Sequence, residues 1–170
     1  MPDQAVILLV EDREDDILLV RKSFERAWIN NPLLVVRNGE EAIHYLAGEE
    51  RYANREEYPL PDLILLDLKL PGIDGFDVLR WVRRQPDFGT IPVVVLTSSD
   101  AIRDVNRAYT LGANSFLVKP LEFENFVETA KILKTYWLKT SSRPKTSRPK
   151  EGGTSGTQGP GEQVSGWWVG

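Results

Sequence analysis

Pro61-Asp62-Leu63-Ile64-Leu65-Leu66-Asp67-Leu68-Lys69-Leu70-Pro71-Gly72-Ile73-Asp74-Gly75 is the stretch on which the reading of this chain turns. Between its two prolines runs an apolar segment of strand length that reaches Asp67 and then enters a turn rich in proline and glycine. A strand without polar alternation has to be buried on both faces, the situation of a strand inside a parallel sheet. A carboxylate at its end then stands at the carboxyl edge of that sheet, where α/β folds keep their working crevice.

The same pattern repeats on either side. Strands are expected at 5–10, 33–36, 62–67, 92–97 and 115–118. Helical periodicity fills the gaps. Ile17, Phe24 and Trp28 fall near one face of a first helix, and Asn38-Gly39 precedes a second at about 40–46. Further helices are expected at 76–84 and 102–111, and Phe123, Phe126, Ala130, Leu133 and Trp137 line the last. Residues 48–61 are polar with two prolines and read as an exposed loop. Five strands separated by helices make an α/β protein: a five-stranded parallel sheet in a doubly wound, flavodoxin-like sandwich. That domain is expected to span 4–139. Residues 140–170 hold two Arg-Pro-Lys stretches and a Gly, Ser and Thr run, a composition expected to remain a disordered tail. Only Trp167-Trp168-Val169 at its end is sticky.

Composition narrows the function classes. The 170 residues are 41% hydrophobic and 27% charged, within the range of a globular domain. No apolar run approaches the ~20 residues of a membrane span, so no membrane is expected. The first residues do not have the form of a secretory leader. The absence of cysteine rules out disulfides, thiol catalysis and cysteine metal sites, and fits the cytoplasm. Net charge is −4, distributed as −6 over residues 1–139 and +2 over 140–170. An acidic body argues against a nucleic-acid partner.

Chemistry converges at the strand ends. Glu11 and Asp12 follow the first strand, Asp67 ends the third, Thr97 the fourth, and Lys119 follows the fifth. A parallel sheet delivers all five to one edge. Three carboxylates in a partly desolvated cleft repel one another unless a cation joins them, and oxygen donors with room for water suit Mg²⁺. A carboxylate beside Mg²⁺ can attack a phosphoryl group and form an acyl phosphate. The Lys119 ammonium and Thr97 hydroxyl could then cover the phosphoryl oxygens, with the Lys69 backbone carbonyl completing the metal shell.

Val10-Glu11-Asp12, Leu66 through Gly75, Val95-Leu96-Thr97-Ser98 and Gly112 through Pro120 resemble, in order and spacing, the motifs of response-regulator receiver domains. The resemblance covers residues 4–138. It implies that Asp67 is the phosphoacceptor and Asp12 a direct Mg²⁺ ligand, with Glu11 acting through water. It also implies that Thr97 and Lys119 are the switch hydroxyl and phosphate-pairing lysine, that Phe116 holds the switch-aromatic position, and that Lys119-Pro120 is cis. Glu11 departs from the aspartate common there. Tyr45-Leu46-Ala47-Gly48, the insertion at 48–61 and Pro92 through Ser99 are similar, more narrowly, to single-domain regulators paired with bacterial phytochrome histidine kinases. That likeness implies a phytochrome-type kinase partner and a homodimer. No output domain is expected after residue 139, so the output is read as a changed protein–protein surface around the fourth helix, fifth strand and last helix, serving a partner, a homodimer or relay to a histidine phosphotransfer protein.

Competing readings meet specific obstacles. Asp12 alone could simply cap a helix, and Phe116 could be core alone. A phosphatase of the haloacid-dehalogenase type wants a second aspartate two residues after the nucleophile, where this chain has Lys69. A nucleotide-binding flavodoxin-like domain would have a glycine-rich loop after the first strand, where Glu11-Asp12 stand. A receiver fold working without phosphorylation would not require the full acidic, Thr and Lys set.

Overall fold

The computed structural model describes residues 4–139. Its strands are β1 (Ile7–Val10), β2 (Leu33–Val36), β3 (Leu63–Leu66), β4 (Val93–Thr97) and β5 (Ser115–Val118). The helices between and after them are α1 (Glu14–Arg26), α2 (Gly39–Ala47), α3 (Gly75–Arg83), α4 (Ile102–Thr110) and α5 (Phe123–Leu133). All strand pairs are parallel, in the order β2-β1-β3-β4-β5. The expected tail at 140–170, with Trp167-Trp168, lies outside the described residues.

Strand side chains alternate faces, so each strand feeds two cores. Leu8, Val10, Ile64, Leu66, Val93 and Val95 pack under α2 and α3 with Leu46, Leu79 and Val82. Ile7, Leu9, Leu63, Leu65, Val94 and Leu96 pack under α1 and α5 with Ile17, Phe24, Phe126 and Leu133. Burial of each such side chain contributes about 1.5–3 kcal/mol. With both faces filled, the open edge beyond the strand ends is left for polar groups.

Three expectations need correction. Trp28 does not continue the buried face of α1: it is 77% exposed, because the helix stops at Arg26 and Trp28 turns out with φ 57°. The segment 48–61 is not a simple exposed loop. It carries a 3-10 turn at Glu50–Ala53 and buries Tyr52, whose ring lies 5.0 Å from that of Tyr45 and 4.9 Å from that of Tyr58. Arg55 donates to the carbonyls of Tyr45 (2.8 Å) and Leu46 (2.7 Å), closing the end of α2. Finally, no peptide bond among the described residues is cis, so Lys119-Pro120 is trans. Trans is the lower-energy isomer of such a bond by about 0.5–1 kcal/mol.

Candidate functional site

Backbone bonds at the sheet edge place the site residues. The Glu11 amide donates to Val36 O (3.0 Å), that of Asp67 to Val10 O (3.1 Å) and that of Lys119 to Thr97 O (2.7 Å). The ladder thus runs one residue past β1, β3 and β5, holding these side chains at fixed register. Gly75 lets α3 start directly beside β3: a Cβ there would stand 2.2 Å from Asp67 O and 2.6 Å from Leu68 Cα. Asp74 caps α3 by accepting from the Asp77 amide at 3.0 Å.

The side chains converge as the strand ends imply. Thr97 Oγ1 donates to Asp67 Oδ1 at 2.9 Å, and the Lys69 amide donates to the same oxygen at 3.1 Å. Lys119 Nζ donates to Asp67 Oδ2 at 2.8 Å and lies 2.5 Å from Glu11 Oε2. Thr97 is fully buried, Asp67 is 3% exposed and Glu11 1%. Beside these buried groups, Asp12 is half-buried and Lys69 exposed. Thr97 already faces Asp67, so no inward movement is needed to bring its hydroxyl to the site. A buried hydroxyl requires such a partner.

One residue was missed. Asp16, in the first turn of α1, accepts from Lys119 Nζ at 2.9 Å and lies 3.7 Å from Arg13 Nε. Its signal was faint: an acidic run, Glu14-Asp15-Asp16, looks like ordinary helix-dipole complementation. Phe116 is half-buried on β5 and packs against the core under α2 and α3.

Electrostatics favour a cation. Glu11, Asp12, Asp16 and Asp67 against the Lys119 ammonium and the Arg13 guanidinium beside Asp16 leave a formal charge of −2. Burial pushes the Glu11 carboxyl up to about 7, and the neighbouring Asp67 charge adds to this, while the Lys119 hydrogen bond opposes it. Burial alone would lower the Lys119 pKa, but its hydrogen bonds to Asp67, Glu11 and Asp16 outweigh that and raise it above the ordinary lysine value. Oxygens of Glu11, Asp12 and Asp67 all lie within 4.8 Å of one another. Asp12 Oδ1 is buried and accepts no hydrogen bond from the described residues. A buried carboxylate oxygen without a donor is costly, and a bound cation satisfies it. The donor set is all oxygen, so it fits a hard divalent ion.

The comparisons agree with this geometry. The family model described as the response regulator receiver domain matches residues 7–131. The chain is 39% identical to FilR2 of Methanothrix harundinacea, a probable methanogenesis regulatory protein, over 84% of this chain and 89% of that one. It is 38% identical to the response regulator Rcp1 of Synechocystis sp., over 82% of this chain and 92% of Rcp1. The solved Mn²⁺-bound form of Rcp1 superposes with a TM-score of 0.74, at 38% identity over 82% of this chain and 99% of that one. The phosphorylated cyanobacterial phytochrome response regulator RcpA superposes with a TM-score of 0.77, at 36% identity over 84% of this chain and 99% of RcpA. Among the described residues, no helix is long and apolar enough to cross a membrane. Receivers are signalling domains that bind a divalent metal and are phosphorylated on an aspartate, rather than conventional enzymes. This chain belongs to the response-regulator receiver family of two-component signalling.

Proposed function

We propose that Asp67 takes a phosphoryl group from the phosphohistidine of a histidine kinase, with Mg²⁺ held by Glu11, Asp12, Asp67 and the Lys69 carbonyl. The observation that carries this reading is the division of labour around Asp67. Lys119 and Thr97 each hold one of its oxygens, while the neighbouring Asp12 oxygen stays buried with no donor among the described residues. When bound, Mg²⁺ would offset negative charge on the carboxylates and the incoming phosphoryl group.

The chain's own residues supply the rest. An Asp67 oxygen attacks phosphorus, the P–N bond to the donor imidazole breaks, and that nitrogen keeps the electron pair. Lys119 and Thr97, freed from the carboxylate, donate to phosphoryl oxygens instead. Thr97 thus exchanges one acceptor for another without leaving the site. Phe116 lies on the neighbouring strand, paired with Val95 two residues before Thr97, while Thr97 pairs with Val118. A small shift of β4 therefore bears on the Phe116 ring and on the surface of α4 and β5, a change of population between two packings.

Ile102 on α4, Val118 on β5 and Leu121 after β5 are 77%, 44% and 103% exposed. Apolar groups displayed there favour a protein-facing output, and we assign it to a homodimer. RcpA, itself a phytochrome response regulator, favours a phytochrome-type kinase as the donor.

Incubation with acetyl phosphate and Mg²⁺, read as intact mass, tests the reading. A single phosphoryl adduct is expected, lost with chelator and in Asp67→Asn. An adduct that survives Asp67→Asn unchanged contradicts it. Light-scattering mass before and after phosphorylation tests the dimer; a monomer in both states overturns it.

A further inference from the structure

Asp16 has no place in the arrangement just described, yet it holds the same ammonium. Lys119 Nζ has three N–H groups and three carboxylate partners: Glu11 at 2.5 Å, Asp67 at 2.8 Å and Asp16 at 2.9 Å. Two of the three belong to the oxygen cluster that suits a cation, and Asp16 does not. Once Glu11 and Asp67 give lone pairs to a metal and a phosphoryl group, Asp16 is the partner left unchanged.

We propose that Asp16 is a positioning residue that holds the Lys119 ammonium in the site while Glu11 and Asp67 serve the cation and the phosphoryl group. The inference rests on the phosphoacceptor reading above. Its placement is firm, because Ile17 and Val20 are buried under α1 at 3% and 2% exposure and fix the rotation of the helix. A negative side chain in a first helical turn also interacts favourably with the helix dipole. At 19% side-chain exposure Asp16 is the most open of the three partners, so it lies at the mouth, where Lys119 would otherwise swing toward water. By tethering Lys119 to α1, it also gives that helix a direct bond to the reacting centre.

The test is a double-mutant cycle on the phosphorylation rate with acetyl phosphate at saturating Mg²⁺. Asp16→Ala should slow phosphorylation by a factor on the order of five, the loss of one charge-assisted hydrogen bond discounted for partial exposure. Calorimetric Mg²⁺ affinity should change by less than about threefold, since Asp16 is not among the cation's donors. In the Lys119→Ala background, Asp16→Ala should have no further effect. The isosteric Asp16→Asn should show a smaller loss of the same kind, which covers any misfolding of the alanine variant. An equal loss in both backgrounds, or no loss in either Asp16 variant, overturns the inference. Persistent phosphorylation of Asp67→Asn in the same assay would instead remove the reading beneath it.

Discussion

Thr97 and Asp67, thirty residues apart, are joined by a buried hydrogen bond of 2.9 Å between the ends of two adjacent strands. Thr97→Ala removes that donor and leaves Asp67 Oδ1 with the Lys69 amide. Stability should fall by about 1.5–3 kcal/mol, as for a lost buried hydrogen bond to a charged group, measurable by urea denaturation. Phosphorylation should persist. The difference in amide exchange at α4 and β5 between phosphorylated and unmodified protein should vanish; an undiminished difference would remove Thr97 from the switch.

Lys119→Ala separates chemistry from response in another way. Asp67 keeps its nucleophilic oxygens, so a phosphoryl adduct should still form with acetyl phosphate. The oligomeric response to phosphorylation should be lost, because the ammonium no longer draws β5 toward the phosphoryl group. Unchanged light-scattering behaviour on phosphorylation would contradict this role.

Gly75→Ala should be severe despite adding one methyl. The new Cβ would meet backbone atoms of Asp67 and Leu68, which cannot swing aside as a flexible side chain can. A loss of more than about 2 kcal/mol and a weaker Mg²⁺ isotherm are expected, since relief of the clash displaces the end of β3. A urea midpoint equal to the wild type would show that α3 does not start as close to β3 as described.

Stability without metal should depend on pH through Glu11. Its carboxyl titrates at about 7 in the fold against 4.5 when unperturbed, so between those values the native state retains a proton that the unfolded chain has released. Its contribution is therefore full below 4.5 and is lost as pH rises through about 7. Urea denaturation in chelator across that window should show a decline that Glu11→Gln flattens. Mg²⁺ should flatten it too, by compensating the buried charge. An identical pH slope in Glu11→Gln would refute the assignment.

Arg83 supports the site from behind. Its guanidinium donates to the carbonyls of Gly112 (2.9 Å), Gly89 (2.9 Å) and Ile91 (2.7 Å) and to Asn114 Oδ1 (2.7 Å), tying α3 to the turns around β4 and β5. Arg83→Ala strips several acceptors at once and should cost about 2–4 kcal/mol in a urea titration while Asp67 remains phosphorylatable. A variant with wild-type stability would show these bonds to be dispensable.

The sheet was readable because apolar runs such as 62–67 and 92–97 have no other place than a buried parallel core. Once parallel, they bring Glu11, Asp67, Thr97 and Lys119 to one edge. What escaped depends on tertiary contact rather than period. Asp16 looks like any acid at a helix start until Lys119 reaches across 103 residues to meet it. The tyrosines at 45, 52 and 58 have no strand or helix spacing, so their mutual packing was invisible in a stretch that reads as polar loop. Trp28 was misplaced because periodicity does not announce where a helix stops, and no glycine marks the left-handed turn there.

The most direct measurement maps the phosphoryl group itself. Protein treated with acetyl phosphate and Mg²⁺ can be reduced with borohydride, which converts an aspartyl phosphate to homoserine, and then sequenced by peptide mass spectrometry. Homoserine at position 67 is the result expected of a cation-filled acidic pocket whose aspartate accepts phosphorus. Homoserine at another aspartate, or none despite a phosphoryl adduct in the intact mass, would contradict the account.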